Sequence, residues 1–152
     1  MEINQKIRIG MLTPSSNSIV EPWCYKIIGP IKNISVHFGR VEVLWIDDDA
    51  ASLSQFYDEN MIKGFDLLSH VKPTVLGWNG TSASWLGLER DRALIDVIKK
   101  RTGCRVVTST LSIVEALKEL NISRIGLVTP YVTSIQKKII NNFELEKLEC
   151  VS

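Results

Sequence analysis

The sequence predicts an α/β fold, a mostly parallel sheet with helices on both faces, and three observations carry that expectation. Short apolar runs alternate with segments of helical periodicity along the chain. The first and third of those runs are apolar at nearly every position, as strands buried on both faces require. Several runs end in loops of small polar residues that lead into the next helix.

The first strand is expected at residues 7–13, IRIGMLT, closed by Pro14. A helix should follow from about Ser18, with Pro22 tolerated in its first turn. Residues 34–45 carry Ile34, Val36, Phe38, Val41, Val43 and Trp45, an alternation broken near Gly39. That break predicts a kinked or bulged second strand. Leu53, Phe56, Met61, Phe65 and Leu68 recur at helical spacing within 52–71, and Pro73 ends that helix. Residues 74–78 form the third strand, the loop NGTSAS follows, and a helix is expected over 85–101 with Gly103 as its stop. A fourth strand covers 105–107. Ser112 and Glu115 stand at capping-box spacing for the next helix. A fifth strand is expected at 124–129 and a last helix from about Thr133.

An internal repeat sets the domain expectation. RIGMLTPSSNSI at 8–19 aligns with RIGLVTPYVTSI at 124–135, with seven of twelve positions identical. Residues 1–122 then form a first domain, and residues 123–152 the first strand and helix of a second, similar one. One strand and one helix cannot close a sheet. The sequence is therefore expected to be a fragment, a truncated product or one piece of a split protein.

Composition narrows the function classes. Lys and Arg total 18 and Asp and Glu 17 in 152 residues, so no broad basic face for nucleic acid is expected. No run of about 18 apolar residues spans a membrane. The N-terminus lacks an apolar signal core, which leads to a cytoplasmic assignment. Cys24, Cys104 and Cys150 are odd in number and widely spaced, which argues against a disulfide framework and against a zinc site. His37 and His70 read as structural. The run Asp47-Asp48-Asp49 reads as a solvated loop or helix start, since adjacent carboxylates rarely converge on one ion.

Ligands of open parallel sheets sit beyond the carboxyl ends of the strands. Three segments arrive there: Pro14-Ser15-Ser16-Asn17, Asn79 through Ser84, and Pro130-Tyr131. Their short hydroxyl and amide groups, with few charges, suit a carboxylate, whose oxygens accept about four hydrogen bonds. Each residue also has a plainer role open to it. Asn17, Thr81 and Ser82 can cap helices, Gly80 can serve a turn, and Tyr131 can pack half-buried.

Four stretches together carry a resemblance: RIGMLTPSSN at 8–17, GTSASW at 80–85, TSTLSIVEAL at 108–117 and RIGLVTPY at 124–131. In that order they resemble the arylmalonate decarboxylase and maleate isomerase branch of the aspartate/glutamate racemase superfamily. The resemblance covers nearly the whole chain. It implies two similar flavodoxin-like domains with the site in the cleft between them. It also implies a small carboxylic acid substrate, an enediolate intermediate, and neither metal nor organic cofactor. By resemblance, Thr81, Ser82 and Tyr131 stabilise the enediolate, Gly80 and Asn17 bind the substrate, and Pro14 and Ser15 shape the first loop.

The departures bear on the reaction type. Two-base members of the superfamily place one cysteine in each domain, and the first falls where this sequence has Gly80. The resemblance then assigns proton transfer to a cysteine of the second domain, beyond residue 152. A decarboxylase-like GTSAS beside an isomerase-like PSSN leaves decarboxylation and isomerisation both open. Two other readings stand alongside: a module that binds a carboxylate or phosphate without reaction, and a remnant held by a partner chain with Trp78 or Trp85 near the interface. A homo-oligomer is equally open.

Overall fold

The computed structural model describes residues 6–43 and 58–151. The order of elements in these segments is β1 (Ile7–Pro14), α1 (Val20–Ile28), β2 (Ile34–Val41), α2 (Asp58–Ser69), β3 (Val75–Trp78), α3 (Ala83–Leu86), α4 (Leu88–Thr102), β4 (Arg105–Thr108), α5 (Ser109–Glu119), β5 (Arg124–Gly126), α6 (Thr133–Leu145) and β6 (Glu149–Val151). Strands β1 to β4 form one parallel sheet in the order β2-β1-β3-β4, with helices on both faces. The fold is the α/β architecture expected.

Apolar strand residues explain that sheet. Leu12, Leu76 and Trp78 are almost wholly buried, and Phe65 of α2 and Ile98 of α4 close over them. The register aligns the strand tips: Leu12 pairs with Trp78, Trp78 with Thr108, and Pro14 with Val41. The loops after β1, β3 and β4 therefore leave the sheet at one edge.

Several local expectations need correction. Strand β2 pairs with β1 in unbroken register through Gly39, opposite Leu12, so there is no bulge. A parallel ladder on β1 holds the strand straight where the side-chain alternation falters. The helix expected over 85–101 is two helices, α3 and α4, divided at Gly87 with φ +104, a conformation that glycine adopts without a Cβ clash. Helix α5 begins at Ser109, with the Thr108 hydroxyl accepting from the Leu111 N–H, so Ser112 lies inside the helix and not at its cap. The expected stop at Gly103 is present in left-handed geometry, φ +68.

Beyond Asn121 the chain builds a second, two-stranded parallel sheet from β5 and β6. Strand β5 spans Arg124–Gly126 and pairs with β6 from Arg124 opposite Glu149 to Gly126 opposite Val151. The sequence had given no sign of β6. Helix α6 buries Ile135, Ile139 and Phe143 and packs on α3.

The triple aspartate at 47–49 and the helix start at 52–57 lie outside the described residues. No helix among the described residues is long and apolar enough to cross a membrane. All three cysteines are free thiols, and burial raises the pKa of Cys24. Trp78 and Trp85 are buried within the chain's own core.

Candidate active site

A hollow of about 570 Å³ opens at the carboxyl edge of the four-stranded sheet. That size suits a small-molecule ligand. Of the residues singled out in the sequence, Pro14, Asn17, Gly80, Thr81, Ser82 and Tyr131 line it. Ser15 does not. Its Oγ accepts from the Val43 N–H at 3.1 Å, which ties the loop after β1 to the chain beyond β2.

That loop is held at several points. Ser16 Oγ donates to the Val43 carbonyl at 2.7 Å, and the Ser15 N–H donates to the Val41 carbonyl. Arg40, at the end of β2, donates to the carbonyls of Ser15 and Asn17 and pairs with Glu21 at 2.6 Å. Asn17 Oδ1 accepts from the N–H groups of Ile19 and Val20, so the side chain opens helix α1 while it lines the hollow. Its Nδ2 group makes no hydrogen bond among the described residues.

The loop after β3 supplies the next wall. The Asn79 N–H donates to the Leu12 carbonyl at 2.7 Å, which anchors the loop to β1. The Asn79 side chain is fixed at both ends, accepting from Ser109 Oγ at 3.2 Å and donating to Met11 Sδ. Ser84 then folds back with its Oγ on the Thr81 carbonyl at 2.7 Å. The Thr81 and Ser82 hydroxyls make no hydrogen bond among the described residues, and Ser82 does not cap α3 through its side chain. The plainer capping role is thus unfilled, and both residues line the hollow.

Tyr131 closes the far side. Its ring lies 5.1 Å from that of Trp85, tilted by 55°, and its carbonyl accepts from Gln136 Nε2 at 2.9 Å. Asn142 of α6 donates to the Ser84 carbonyl at 2.9 Å, so α6 is tied to the loop that carries Thr81 and Ser82. Sequence reasoning assigned no role to Ser16, Asn79 and Ser109, which also line the hollow. The usable signal was position, since Asn79 and Ser109 directly follow β3 and β4 and Ser16 lies two residues past the end of β1.

Among the described residues that line the hollow there is no Asp, Glu, Lys, Arg or His, and several carry neutral hydrogen-bond donors. Behind it, a cavity of about 20 Å³ is bordered by Trp78, Ser82 and Asp91. Asp91 is 4% exposed, and burial raises its pKa to about 6, while the neighbouring Thr108 hydroxyl pulls it down. His37 is remote from the hollow, with its Nε2 at 3.1 Å from Ser35 Oγ on β2.

Comparison with solved structures agrees with this architecture. The chain superposes on maleate cis-trans isomerase of Nocardia farcinica bound to TRIS with a TM-score of 0.81 and 21% identity, covering 96% of this chain and 61% of that one. For maleate isomerase Iso of Pseudomonas putida S16 the values are 0.75 and 20%, with 95% and 62% covered. For unliganded arylmalonate decarboxylase they are 0.73 and 18%, with 95% and 58% covered. The chain thus spans about three fifths of the length of these proteins. No curated protein matches it by sequence. The sequence profile of arylmalonate decarboxylase matches residues 57–152, more than half of the chain. The protein belongs to the arylmalonate decarboxylase family.

Proposed function

We propose that the hollow binds a small mono- or dicarboxylic acid and stabilises the enediolate formed when that acid loses CO₂ or a proton beside a retained carboxylate. The observation that carries this reading is the meeting of neutral donors, the Thr81 and Ser82 hydroxyls with Asn17 and Tyr131, around one hollow whose described lining residues carry no charge.

In the decarboxylation version, one carboxylate leaves as CO₂ and its bonding electrons pass to the α-carbon. The retained carboxylate takes up that charge as an enediolate, and a proton delivered to the α-carbon completes the reaction. Neutral donors already in place stabilise charge as it develops, each by on the order of 3 kcal/mol. Thr81, Ser82 and Tyr131 are assigned that work, while Gly80, Asn17, Pro14 and Ser15 bind the acid or shape its wall. The proton is assigned to a cysteine outside these 152 residues, on the second domain that residues 123–152 begin. No metal or organic cofactor enters the scheme.

The test is turnover of phenylmalonate and maleate by the complete protein, followed by carbon dioxide release and by NMR. Thr81→Val, Ser82→Ala and Tyr131→Phe should each lower kcat about 100-fold with little change in melting temperature. A thermal-shift series separates binding from catalysis. Stabilisation by phosphate but not by dicarboxylates, with no turnover, would replace the enzyme by a non-catalytic anion-binding module.

A further inference from the structure

Helix α4 carries its buried residues in one stripe: Leu88, Asp91, Leu94 and Ile98. Spacings of three and four put them on a single face, the one that meets the sheet. Position 91 is therefore a core position, and a carboxyl group occupies it. Burying an acid there costs stability that an apolar side chain would not.

The hydrogen bonds of that carboxyl are incomplete. The Thr108 hydroxyl at the end of β4 accepts from the Leu111 N–H, which leaves its own proton for Asp91. The Oδ2 atom is buried with no hydrogen-bond partner among the described residues. Arg90, the other charged residue beside the cavity, is exposed and makes no ion pair with Asp91 among the described residues.

Asp91 borders the cavity of about 20 Å³ behind the hollow. A space of that size takes one water molecule when at least two polar groups meet it. Ser82 borders this cavity and also lines the hollow. Its hydroxyl makes no hydrogen bond among the described residues. One serine thus stands between a buried, unpartnered carboxyl oxygen and the space assigned to the acid.

Resting on the carboxylate reading above, we propose that Asp91 is a positioning residue that acts on Ser82 through one water molecule bound in this cavity. The water donates one proton to Asp91 Oδ2 and the other to Ser82 Oγ. A serine hydroxyl has a single proton to give. With its oxygen accepting from the cavity side, that proton is left for the hollow, where charge develops on the acid. The donor is then aimed before the reaction begins, which is the condition for strong stabilisation of a developing charge. The arrangement works in either state of Asp91. A protonated carboxyl donates to the water, and the water still has a proton for Ser82.

Kinetics of the complete protein on phenylmalonate test the positioning. Asp91→Leu removes the acid and puts an apolar side chain against the cavity. It should lower kcat about tenfold with KM nearly unchanged, while the melting temperature holds or rises. Asp91→Asn keeps a polar atom on the cavity and should recover kcat to within about threefold. In a Ser82→Ala background, Asp91→Leu should lower kcat no further. An unchanged kcat in Asp91→Leu, or the same loss with the Ser82 hydroxyl already removed, overturns the proposal.

The water is tested without turnover, and without relying on any variant to fold. A high-resolution crystal structure of the natural protein should show one ordered water within hydrogen-bond distance of both Asp91 Oδ2 and Ser82 Oγ. A cavity without ordered water, or a water that does not reach Ser82, overturns the proposal whatever the protein turns over. Absence of turnover by the natural protein overturns the carboxylate reading and the part of Asp91 in it, while the crystal structure decides the water site independently.

Discussion

The guanidinium of Arg40 donates to the carbonyl of Ser15 at 2.8 Å, and in doing so it connects the tip of β2 to the loop that brings Asn17 to the hollow. The same group reaches the Asn17 carbonyl at 3.0 Å and Glu21 at 2.6 Å. Its planar fork serves three acceptors at once, which a lysine ammonium on a flexible stem does not reproduce. The Arg40 and Glu21 side chains are 41% and 30% exposed, so the ion pair itself contributes little. Arg40→Ala should therefore lower stability by only about 1 kcal/mol while weakening acid binding severalfold, and Arg40→Lys should recover little of the binding. Chemical denaturation and calorimetric titration with phenylmalonate check the two effects. Equal binding by all three proteins would show that the loop needs no clamp.

Ser109 and Asn79 make a second such link, from the start of α5 to the loop after β3. Ser109→Ala removes the donor that holds the Asn79 amide, at a stability cost of about 1 kcal/mol. The amide is then held only by its Nδ2 contact with Met11 Sδ, and loosens beside Gly80 and Thr81. Turnover should fall about tenfold with KM less affected, measured as a split between kcat and KM in the complete protein. A loss confined to melting temperature would make the link merely structural.

Asp91 and Glu146 should bend the pH profile of stability in opposite senses. Asp91 has its pKa raised to about 6 by burial, so between about pH 4 and 6 the folded state binds more protons than the unfolded state. Stability falls as pH rises through that window and stays lower above it. Asp91→Asn should remove the fall, for a gain at pH 7.5 of about 3 kcal/mol at most, and a smaller difference at pH 4. Glu146 is held below the ordinary glutamate range by hydrogen bonds from Arg92 and Lys118. Its contribution is complete above the unfolded pKa and is lost as pH falls through the lowered folded value. Glu146→Gln should flatten the acid limb. Urea denaturation from pH 3 to 8 distinguishes the two variants, and identical profiles would remove both assignments.

Gly103 ends α4 at φ +68, and nothing stands within 4 Å of where its Cβ would be. Any cost of substitution is therefore conformational. Gly103→Ala should lose about 1 kcal/mol and Gly103→Asn less, since asparagine tolerates the left-handed region. Thermal denaturation ranks the three, and alanine equal to glycine would contradict the strain argument.

Much of the fold was legible because its signals are local. The apolar runs at 7–13 and 74–78 had to be strands buried on both faces, and the Gly103 stop needed only its own backbone. The misplaced features depend on partners distant in sequence. The straightness of β2 past Gly39 is imposed by β1, and the start of α5 by the Thr108 cap displacing a plausible Ser112 box. In the hollow, the hydroxyl-rich loops advertised themselves by composition. Ser15 shares that composition but is turned onto Val43 by a contact across 28 residues of chain.

The sequence by itself determined the class of fold, the strand tips at which polar loops collect, and the neutral donor chemistry of those loops, since periodicity and residue type act over a few neighbouring positions. Only the tertiary structure decided which of those loops share one hollow, that Asn17 both opens α1 and lines the wall, and that Asp91 is buried behind Ser82. Each of these depends on side chains brought together by the parallel register of β1, β3 and β4, and a register between strands is a property of the packed chain.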